Sequence, residues 1–430
     1  MSAPVAAVAP PRGLGARWRA ASKLLRRPIV VVSEVAGLTS AVALAALLPQ
    51  EPDAAAVAEF AGRWPAVSPV SRTLGLHAIL TSGWFLALLS LALFSLVAVQ
   101  LEQWRRLRRV WGAPLEASWF ARAPYRRELP LPPDAYPVAP RFRRSGRAGL
   151  LGSPIFHFGL LLVVVAGIGR LLLFRDGGVR MLEGETLPAD ASAWQMQRGG
   201  ILSQPFALPT PLRLEAILPT RYASGALQQV AAKVALAGAG APDVRDIAIN
   251  APLDAGAGKS IYILQAHGPA LVLAYRTPAG EDARYVYLEQ REEDYRGRLL
   301  LEGGREVRFR TPVAAGRPEK VEARLLAGPA LLVVGELVPG AELPLGGGEA
   351  LRLVGLPWWA QFWGSHDPSR PFFFAGVAIA IAGIALLFGF VPVDAGVFAE
   401  RDHLVVALRP QRFAPLFAER FEALCKEARS

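Results

Sequence analysis

The sequence predicts a membrane protein with four transmembrane α-helices and a large β-rich exported domain between helices 3 and 4. Three observations lead to this fold class. First, 52% of the 430 residues are hydrophobic and 19% are charged, whereas about a quarter of residues are charged in a typical soluble domain. Second, four stretches stay apolar over roughly the 20 residues that a membrane-crossing helix needs. Third, the net charge of +11 is concentrated in two segments.

Four apolar stretches are predicted to cross the membrane, and charges inside them are rare. The first contains Glu34, the third contains His157 and Arg170, and the other two contain no charged residue. The first is longer than the roughly 7–15 apolar residues of a secretory signal peptide, which favours an uncleaved anchor over a cleaved signal. The predicted spans are residues 29–48, 76–101, 149–174 and 371–393.

The distribution of basic residues indicates how the chain threads the membrane. Residues 1–28 carry a net charge of +6, and the loop 102–148 carries +7. The loop 49–75 and the region 175–370 each carry −1, and the tail 394–430 is neutral. Because loops rich in Lys and Arg stay in the cytoplasm, both termini and the loop 102–148 are predicted to be cytoplasmic. The other two segments are then extracytoplasmic, and their near-neutral charge argues against nucleic-acid binding.

The region 175–370 is predicted to be rich in β-strands. Short apolar or alternating runs recur between Gly- and Pro-rich connections such as 237–242 and 346–348, a pattern typical of a β-sandwich or an irregular β assembly. The acidic run 292–294 is predicted to be a solvated loop. The predicted strands are 212–218, 230–236, 261–265, 270–275, 284–288, 307–310, 321–326, 331–337 and 350–354.

The sequence gives no support to an enzyme with its own catalytic site. The single cysteine, Cys425, excludes an intramolecular disulfide, a thiolate zinc cluster and a Cys-x-x-Cys-His haem attachment site in this chain. The segment 254–260 resembles the end of a phosphate loop but lacks the required first glycine. It is therefore predicted to be a turn.

Five histidines are the candidate ligands for a metal or for haem iron. His157 lies about eight residues into the third span, roughly 12 Å from its inner end. Ionisable residues at such depth are costly and usually face an interior or a cofactor. A neutral histidine bonded to a neighbouring helix is the alternative. His77 and His366 are predicted near the outer surface, where a polar ring is also ordinary, and His267 and His403 are assigned no role.

An aromatic segment, residues 357–368, precedes the fourth span. Trp359 and Trp363 are four residues apart, as are Trp358 and Phe362, so each pair would share one face of a helix. Because tryptophan favours the membrane interface, the segment is predicted to form a short amphipathic helix there. A wall facing a haem is the alternative.

The order of spans and several local motifs resemble the ResB-like family of System II cytochrome c biogenesis membrane proteins. The family has three spans, a large exported β-rich domain and a fourth span. The resemblance runs through the whole chain in order. It is carried by Pro49-Gln50, by the segment 82–89, by Gly146-Arg147 with the segment 157–162, by Glu183-Gly-Glu185, by the segment 367–371 and, loosely, by 404–423.

This resemblance implies a role in haem delivery without turnover of a substrate. Family members work in the bacterial inner (plasma) membrane with a haem-handling membrane protein, ResC or CcsA, and present haem to exported apocytochrome c. For this chain it implies that haem b is the transported ligand and that the partners are a ResC/CcsA-type protein, apocytochrome c and the lipid bilayer. His157 would be an axial ligand to the haem iron, and His77 and His366 are weaker candidates for a second, exported site.

A membrane-anchored scaffold is the alternative function. In that case the β-rich domain would assemble another complex without binding haem. Four simple spans without a detectable repeat make a transporter less favoured, because transporters commonly contain inverted repeats and broken helices.

Overall fold

The computed structural model describes residues 21–51, 54–130, 139–224, 226–237, 243–313 and 316–429. Most of the predicted basic N-terminus, residues 1–20, and most of the predicted connection 237–242 lie outside these residues. The chain divides into two compact units. We call residues 1–166 and 371–430 the helical unit and residues 167–370 the β-rich unit.

Seven α-helices lie between Pro28 and Glu427 of the described chain, and four of them are long and apolar enough to cross a membrane. These four, α1, α4, α5 and α6, confirm the predicted number of apolar helices. The bounds are α1 Pro28–Leu47, α2 Ala54–Arg63, α3 Ser68–Thr73, α4 Gly83–Trp111, α5 Gly149–Leu173, α6 Arg370–Gly389 and α7 Ala418–Glu427.

Helix α4 begins later and ends later than the second predicted span, 76–101. Its N-cap is Ser82, whose hydroxyl oxygen accepts a hydrogen bond from the Phe85 backbone N–H. Such a cap satisfies one of the free N–H groups at a helix start. His77 therefore lies in the turn before the helix and not on the helix itself.

The apolar helices that follow one another in sequence are antiparallel neighbours. Between α1 and α4, the Ser95 hydroxyl donates to the Glu34 carboxylate at 2.7 Å. Between α4 and α5, the Gln100 amide donates to the Pro154 carbonyl at 3.2 Å, and closer to the helix ends Arg144 reaches the Val110 carbonyl. Glu34 is an early residue of α1, whereas Ser95 lies in the middle of α4. Gln100 lies in the second half of α4, whereas Pro154 is an early residue of α5.

Glycines allow α5 and α6 to pack with their backbones in close approach. A Cβ at Gly159 would lie 2.4 Å from the Ala380 backbone N, and one at Gly383 would lie 2.3 Å from the Phe156 backbone N. Gly152 and Gly376 make similar backbone contacts, so each helix carries two such glycines seven residues apart. Small residues at this spacing on one face are typical of helix pairs in membranes.

The loop after α4 and the C-terminal tail together form a small antiparallel sheet. Its strand order is β1-β21-β20-β2. Helix α7 packs on the sheet, and its Phe421 and Cys425 are buried with Leu404 and Val406 of the sheet. These segments were predicted as separate basic loop and tail. The strands are β1 Tyr125–Pro130, β2 Arg141–Ser145, β20 Val393–Glu400 and β21 His403–Pro410.

The β-rich unit contains three sheets around one hydrophobic core, which confirms the predicted β-rich region. The eight-stranded sheet has the main order β17-β18-β10-β19-β3-β5, the five-stranded sheet the order β12-β13-β14-β15-β16, and the four-stranded sheet the order β4-β6-β7-β8. The bounds are β3 Arg175–Leu182, β4 Thr186–Leu187, β5 Met196–Gly199, β6 Leu212–Arg221, β7 Leu227–Leu236, β8 Asp243–Ala248, β9 Leu253–Gly256, β10 Lys259–Thr277, β11 Gly280–Tyr287, β12 Glu289–Arg291, β13 Asp294–Leu300, β14 Arg305–Pro312, β15 Val321–Ala327, β16 Ala330–Leu337, β17 Glu342–Gly346, β18 Glu349–Gly355 and β19 Trp358–His366.

The prediction of an interfacial helix over residues 357–368 is wrong. Trp358–His366 is strand β19, which pairs with β3 on one side and β10 on the other. Residues four apart also share a face of a strand, because strand side chains alternate with a period of two. The aromatic spacing therefore fits both structures, and the buried Trp358 and Trp359 belong to the strand interior.

The acidic run 292–294 is a solvated loop at its start and a strand at its end. Glu292 is exposed in the turn, but Asp294 begins β13 and is buried. Asp294 accepts hydrogen bonds from Arg296 at 3.0 Å and from Arg310 at 2.8 Å. The loop prediction is therefore wrong for Asp294, whose burial is offset by these two arginines.

Candidate functional site

His157 lies in α5 with its ring orientation fixed by the helix itself. Its Nδ1 is 2.8 Å from the Ser153 carbonyl oxygen, one turn earlier. A carbonyl can accept but not donate, so Nδ1 carries a proton, and in the neutral ring the lone pair is on Nε2. Histidines that bind metal usually donate their other ring N–H in this way. The half-buried His157 ring is thus in the tautomer that a ligand to iron through Nε2 requires.

The turn that carries His157 is attached to α4. Pro154 has no N–H and interrupts the helical hydrogen bonds of α5. The buried Gln100 of α4 donates to the Pro154 carbonyl, while its Oε1 is buried without a partner among the described residues. Gln100 therefore positions the α5 turn next to His157 and leaves one acceptor unsatisfied inside the bundle.

The helix bundle contains a second polar contact in its interior. Glu34 and Ser95 are both buried, and the Ser95 hydroxyl donates to Glu34. The sequence indicated Glu34 as an isolated acid, but Ser95 and Gln100 were missed. Both could have been found as the uncommon polar residues of an apolar run, which in membranes tend to face other helices.

His77 is 4% exposed and is held by hydrogen bonds through both ring nitrogens. Nδ1 donates to the Pro49 carbonyl at 2.8 Å, and Nε2 lies 3.0 Å from the Ser71 hydroxyl. The ring of Phe60 packs edge-on against it at 5.2 Å. This arrangement ties the end of α1 to the turn before α4. For His77 to bind a metal, one of these hydrogen bonds must be released.

Gln50, which follows Pro49, completes the same connection. Its side-chain amide donates to the Leu76 carbonyl at 2.8 Å, and its carbonyl accepts from the Ile79 backbone N–H. The Pro-Gln motif therefore has a structural role, which is to join the end of one apolar helix to the beginning of the next.

The structure does not bring His77 and His157 into one site. His77 precedes the start of α4, whereas His157 is one turn from Pro154, which contacts Gln100. The distance from Gly83 to Gln100 along α4 is roughly 25 Å. Because α4 and α5 are antiparallel, the two histidines lie on the order of 20 Å apart along the bundle.

His366 and His267 lie in the β-rich unit, also apart from each other. His366 donates from Nδ1 to the Gly258 carbonyl at 3.1 Å. In the pairing of β10 with β19, Lys259 faces His366 and His267 faces Ala360. Six residues along a strand correspond to about 20 Å, so these two histidines do not share a site.

His267 is the histidine with an unsatisfied buried nitrogen. Its Nδ1 donates to the Gln265 carbonyl at 2.7 Å, and its Nε2 is buried without a partner among the described residues. The ring stacks on Trp358 with 5.8 Å between centroids. Burial lowers the pKa of His267 and also that of His366. His267 is therefore a neutral core histidine near pH 7, a state that its sequence position did not indicate.

Glu183 of the short acidic motif is a structural anchor. Its carboxylate accepts from the Ile217 backbone N–H at 2.8 Å and from the Trp358 backbone N–H at 3.3 Å. Arg317 binds both carboxylate oxygens at 2.6 and 2.7 Å. Gly184 adopts a positive φ of 81° in the turn, a conformation that favours glycine. The motif thus joins β6 and β19 to the turn after β3.

Arg170, the base in the third apolar stretch, has a partner near the end of α5. Its guanidinium lies 2.6 Å from the Asp367 carboxylate, which also accepts from the Ser369 backbone N–H. Asp367 therefore binds Arg170 and also the turn that leads into α6. Among the described residues, no cluster of three or more metal-ligating side chains is present.

The comparison with known proteins identifies the family. The model of the ResB-like family matches residues 37–294, more than half of the chain. This range includes His77, His157 and Glu183, and it ends before His366. A search of curated proteins finds no match to the chain. Together with four helices apolar enough to cross a bilayer, the match shows that this chain is a membrane protein that belongs to the ResB-like family.

Proposed function

We propose that this chain is a membrane subunit of a haem-delivery and cytochrome c synthase complex. It assists the transfer of haem across the membrane and its attachment to exported apocytochrome c. Membership of the ResB-like family supports this role in cytochrome c biogenesis. The observation that carries the haem contact is the fixed tautomer of His157, whose Nε2 keeps a lone pair inside an apolar helix bundle.

The proposed topology places both termini and the small sheet in the cytoplasm. The β-rich unit and the loop 49–75 are then extracytoplasmic. The charge distribution supports this orientation, because the basic segments flank the same ends of the apolar helices. In bacteria such a protein would lie in the inner membrane, where haem is made on one face and c-type cytochromes are matured on the other.

The residues around His157 suit an apolar cargo that needs a strong axial donor. Haem is hydrophobic around its edge, and its iron takes an imidazole nitrogen readily. The carbonyl of Ser153 orients the ring, and Phe156 packs edge-on against it at 5.3 Å. His157 would supply one axial position, and a ResC/CcsA-type partner would supply the other. His77 and His366 are proposed for a second, extracytoplasmic site, in which His366 offers a free Nε2 more readily than His77.

The ligand role is tested by His157→Ala in the chain co-purified with its ResC/CcsA-type partner. We expect loss of the haem absorption spectrum and reduced maturation of c-type cytochromes. His403→Ala is the matched control, because His403 lies at the exposed start of β21 and outside the apolar helices. Added imidazole should restore part of the spectrum of His157→Gly by filling the vacated ligand position.

Two results would contradict the proposal in different ways. Unchanged haem content and cytochrome maturation in His157→Ala would remove His157 as a ligand. Haem-free purification of the complex, together with intact c-type cytochromes in a deletion strain, would instead support a membrane-anchored scaffold that never binds haem.

A further inference from the structure

The outer face of the five-stranded sheet forms an open, arginine-rich groove. Its volume is about 760 Å³. The inner face of the same sheet, with Val307 and Phe309, packs into the core of the β-rich unit. The arginines in the groove come from four consecutive strands of the sheet and are Arg291, Arg296, Arg298, Arg308, Arg310 and Arg324.

Three of these arginines form a row across neighbouring strands. Arg298 of β13 pairs in register with Arg308 of β14, which pairs with Arg324 of β15. Side chains directly opposite each other across antiparallel strands have Cβ atoms roughly 5 Å apart, and like charges in such positions destabilise a sheet. We call Arg298, Arg308 and Arg324 the arginine row.

Acidic residues of the chain neutralise the row incompletely. Arg308 pairs along its own strand with Glu306, and Arg324 pairs with Glu322. No carboxylate of the described residues lies within 4.0 Å of the Arg298 guanidinium. In both pairs the arginine side chain is exposed to solvent, at 60% and 50%, and the solvent weakens the attraction. The row therefore retains positive charge that an external anion can neutralise.

Next to the row, an apolar strand edge is open. In register, Arg324 faces Val334 of β16, the last strand of the sheet. The side chains of Leu332 and Val334 are 53% and 55% exposed. Among the described residues, β16 pairs with β15 and its other edge pairs with no strand. The row of charges therefore leads in register to an exposed apolar side chain at the edge of the sheet.

We propose that this face binds an extended acidic segment of a partner polypeptide, with carboxylates on the arginine row and an apolar side chain against Val334 of β16. Guanidinium groups bind carboxylates through two parallel hydrogen bonds. The row crosses neighbouring strands, which lie about 4.7–4.9 Å apart, so a segment that lies across the sheet along the row can bring carboxylates to successive guanidinium groups. The in-register order of three arginines followed by an exposed apolar side chain favours a polypeptide over a small free anion.

Nucleic acid is a poorer fit to the same face. Glu289 and Glu322 also line the groove, and they would repel a dense row of phosphates. The region 175–370 has a net charge of −1, whereas nucleic-acid affinity depends on a net basic surface. The inference does not depend on the proposed haem role, because it concerns a different face and needs no ligand to iron.

The test uses the full chain in nanodiscs of neutral phosphatidylcholine. The probe is a fluorescein-labelled decapeptide of alternating Glu and Val, and the matched probe replaces each Glu with Gln. Fluorescence anisotropy should show binding of the acidic peptide that weakens with added salt and little binding of the neutral one. The triple variant R298Q/R308Q/R324Q should lose at least about tenfold in affinity. R213Q, an exposed arginine on β6 paired with Glu215, should bind like the wild type.

The Tm of the triple variant distinguishes docking from a structural role. The triple substitution removes repulsion between neighbouring arginines, so we expect an unchanged or higher Tm. A clearly lower Tm would show that the arginines hold the sheet together and would overturn the proposal. Equal binding of both peptides would overturn it as well. A third result would also overturn the proposal. If the chain binds phosphatidylglycerol vesicles through the arginine row but does not bind the acidic peptide, the face is a lipid-contact surface.

Discussion

The helical unit and the β-rich unit use glycine for different kinds of close packing. In the helical unit, a Cβ at Gly159 would lie 2.4 Å from a backbone atom of α6. In the β-rich unit, a Cβ at Gly364 would lie 2.2 Å from the ring of Phe206. Glycine thus lets two helix backbones approach in the first case and makes room for an aromatic side chain in the second. A backbone has less freedom than a side chain to move away.

The two units also differ in where they place charge. In the helical unit, Asp394 and the side chain of Arg144 are buried at 0% and 3% exposure and bind each other. In the β-rich unit, the arginine row lies on the surface and is partly neutralised. In the helical unit, the few polar residues in apolar surroundings can be recognised from the sequence. In the β-rich unit, charged residues are common, and the strand register decides which of them become neighbours.

The largest effect is expected from Asp394→Ala. Asp394 accepts from Arg144 at 2.7 Å and from the indole N–H of Trp119 at 2.9 Å. Removing it leaves a buried guanidinium without its counter-ion, which costs about 3–5 kcal/mol. The measurement is the free energy of unfolding, or the Tm, of the detergent-solubilised protein.

Glu400→Ala is the matched control for this prediction. Glu400 pairs with Arg126 in the same small sheet, at 2.6 Å, but both side chains are substantially exposed. Such surface pairs contribute about 0–1 kcal/mol. Similar losses in Asp394→Ala and Glu400→Ala would show that burial does not separate the two pairs.

Gly159→Ala is expected to lower the free energy of unfolding by about 1–3 kcal/mol, because the added methyl group overlaps the α6 backbone. Gly167→Ala on the same helix meets no atom within 4 Å and should be neutral or stabilising by up to about 1 kcal/mol. Gly364→Ala should be milder than Gly159→Ala if Phe206 can rotate aside. The measurement is the Tm of the three variants in one detergent. A larger loss of Tm in Gly364→Ala than in Gly159→Ala would contradict the distinction between the two kinds of packing.

Sequence patterns predicted the elements that depend on composition. The prediction failed where the spacing of aromatic residues fits both a helix and a strand. Long apolar runs indicated the four helices, and His157 stays a predicted ligand, selected because an ionisable residue is unusual there. The helix over residues 357–368 was wrong because a spacing of four fits one face of a helix and one face of a strand. The arginine row could not be predicted, since Arg298, Arg308 and Arg324 are neighbours through register alone.

The pH dependence of the β-rich unit should reflect His267. Burial lowers its folded pKa below the ordinary value of about 6.5 for histidine, so unfolding is accompanied by proton uptake when the pH is below about 6.5. The stability that the neutral, folded His267 contributes is present above that value and is lost as the pH falls. His267→Phe should therefore show a flatter decline between about pH 7 and 5. If stability falls equally steeply with pH in His267→Phe and in the wild type, other groups cause the decline. His366→Phe is the comparison variant, because the pKa of His366 is also lowered.

The smallest effect is expected from Gln100→Leu, and it tests how much the interior of the helical unit depends on a single polar contact. The substitution removes the hydrogen bond to Pro154 but also removes the buried, unpartnered Oε1. Hydrogen bonds between membrane helices average about 0.6 kcal/mol, so we expect a loss of that size or less in unfolding free energy. Because Pro154 belongs to the turn that carries His157, the proposed haem role predicts in addition a shift in the haem spectrum of the complex even when stability hardly changes. A stability loss as large as that of Gly159→Ala would mean that this polar contact, and not the glycine packing, is the main constraint on α5.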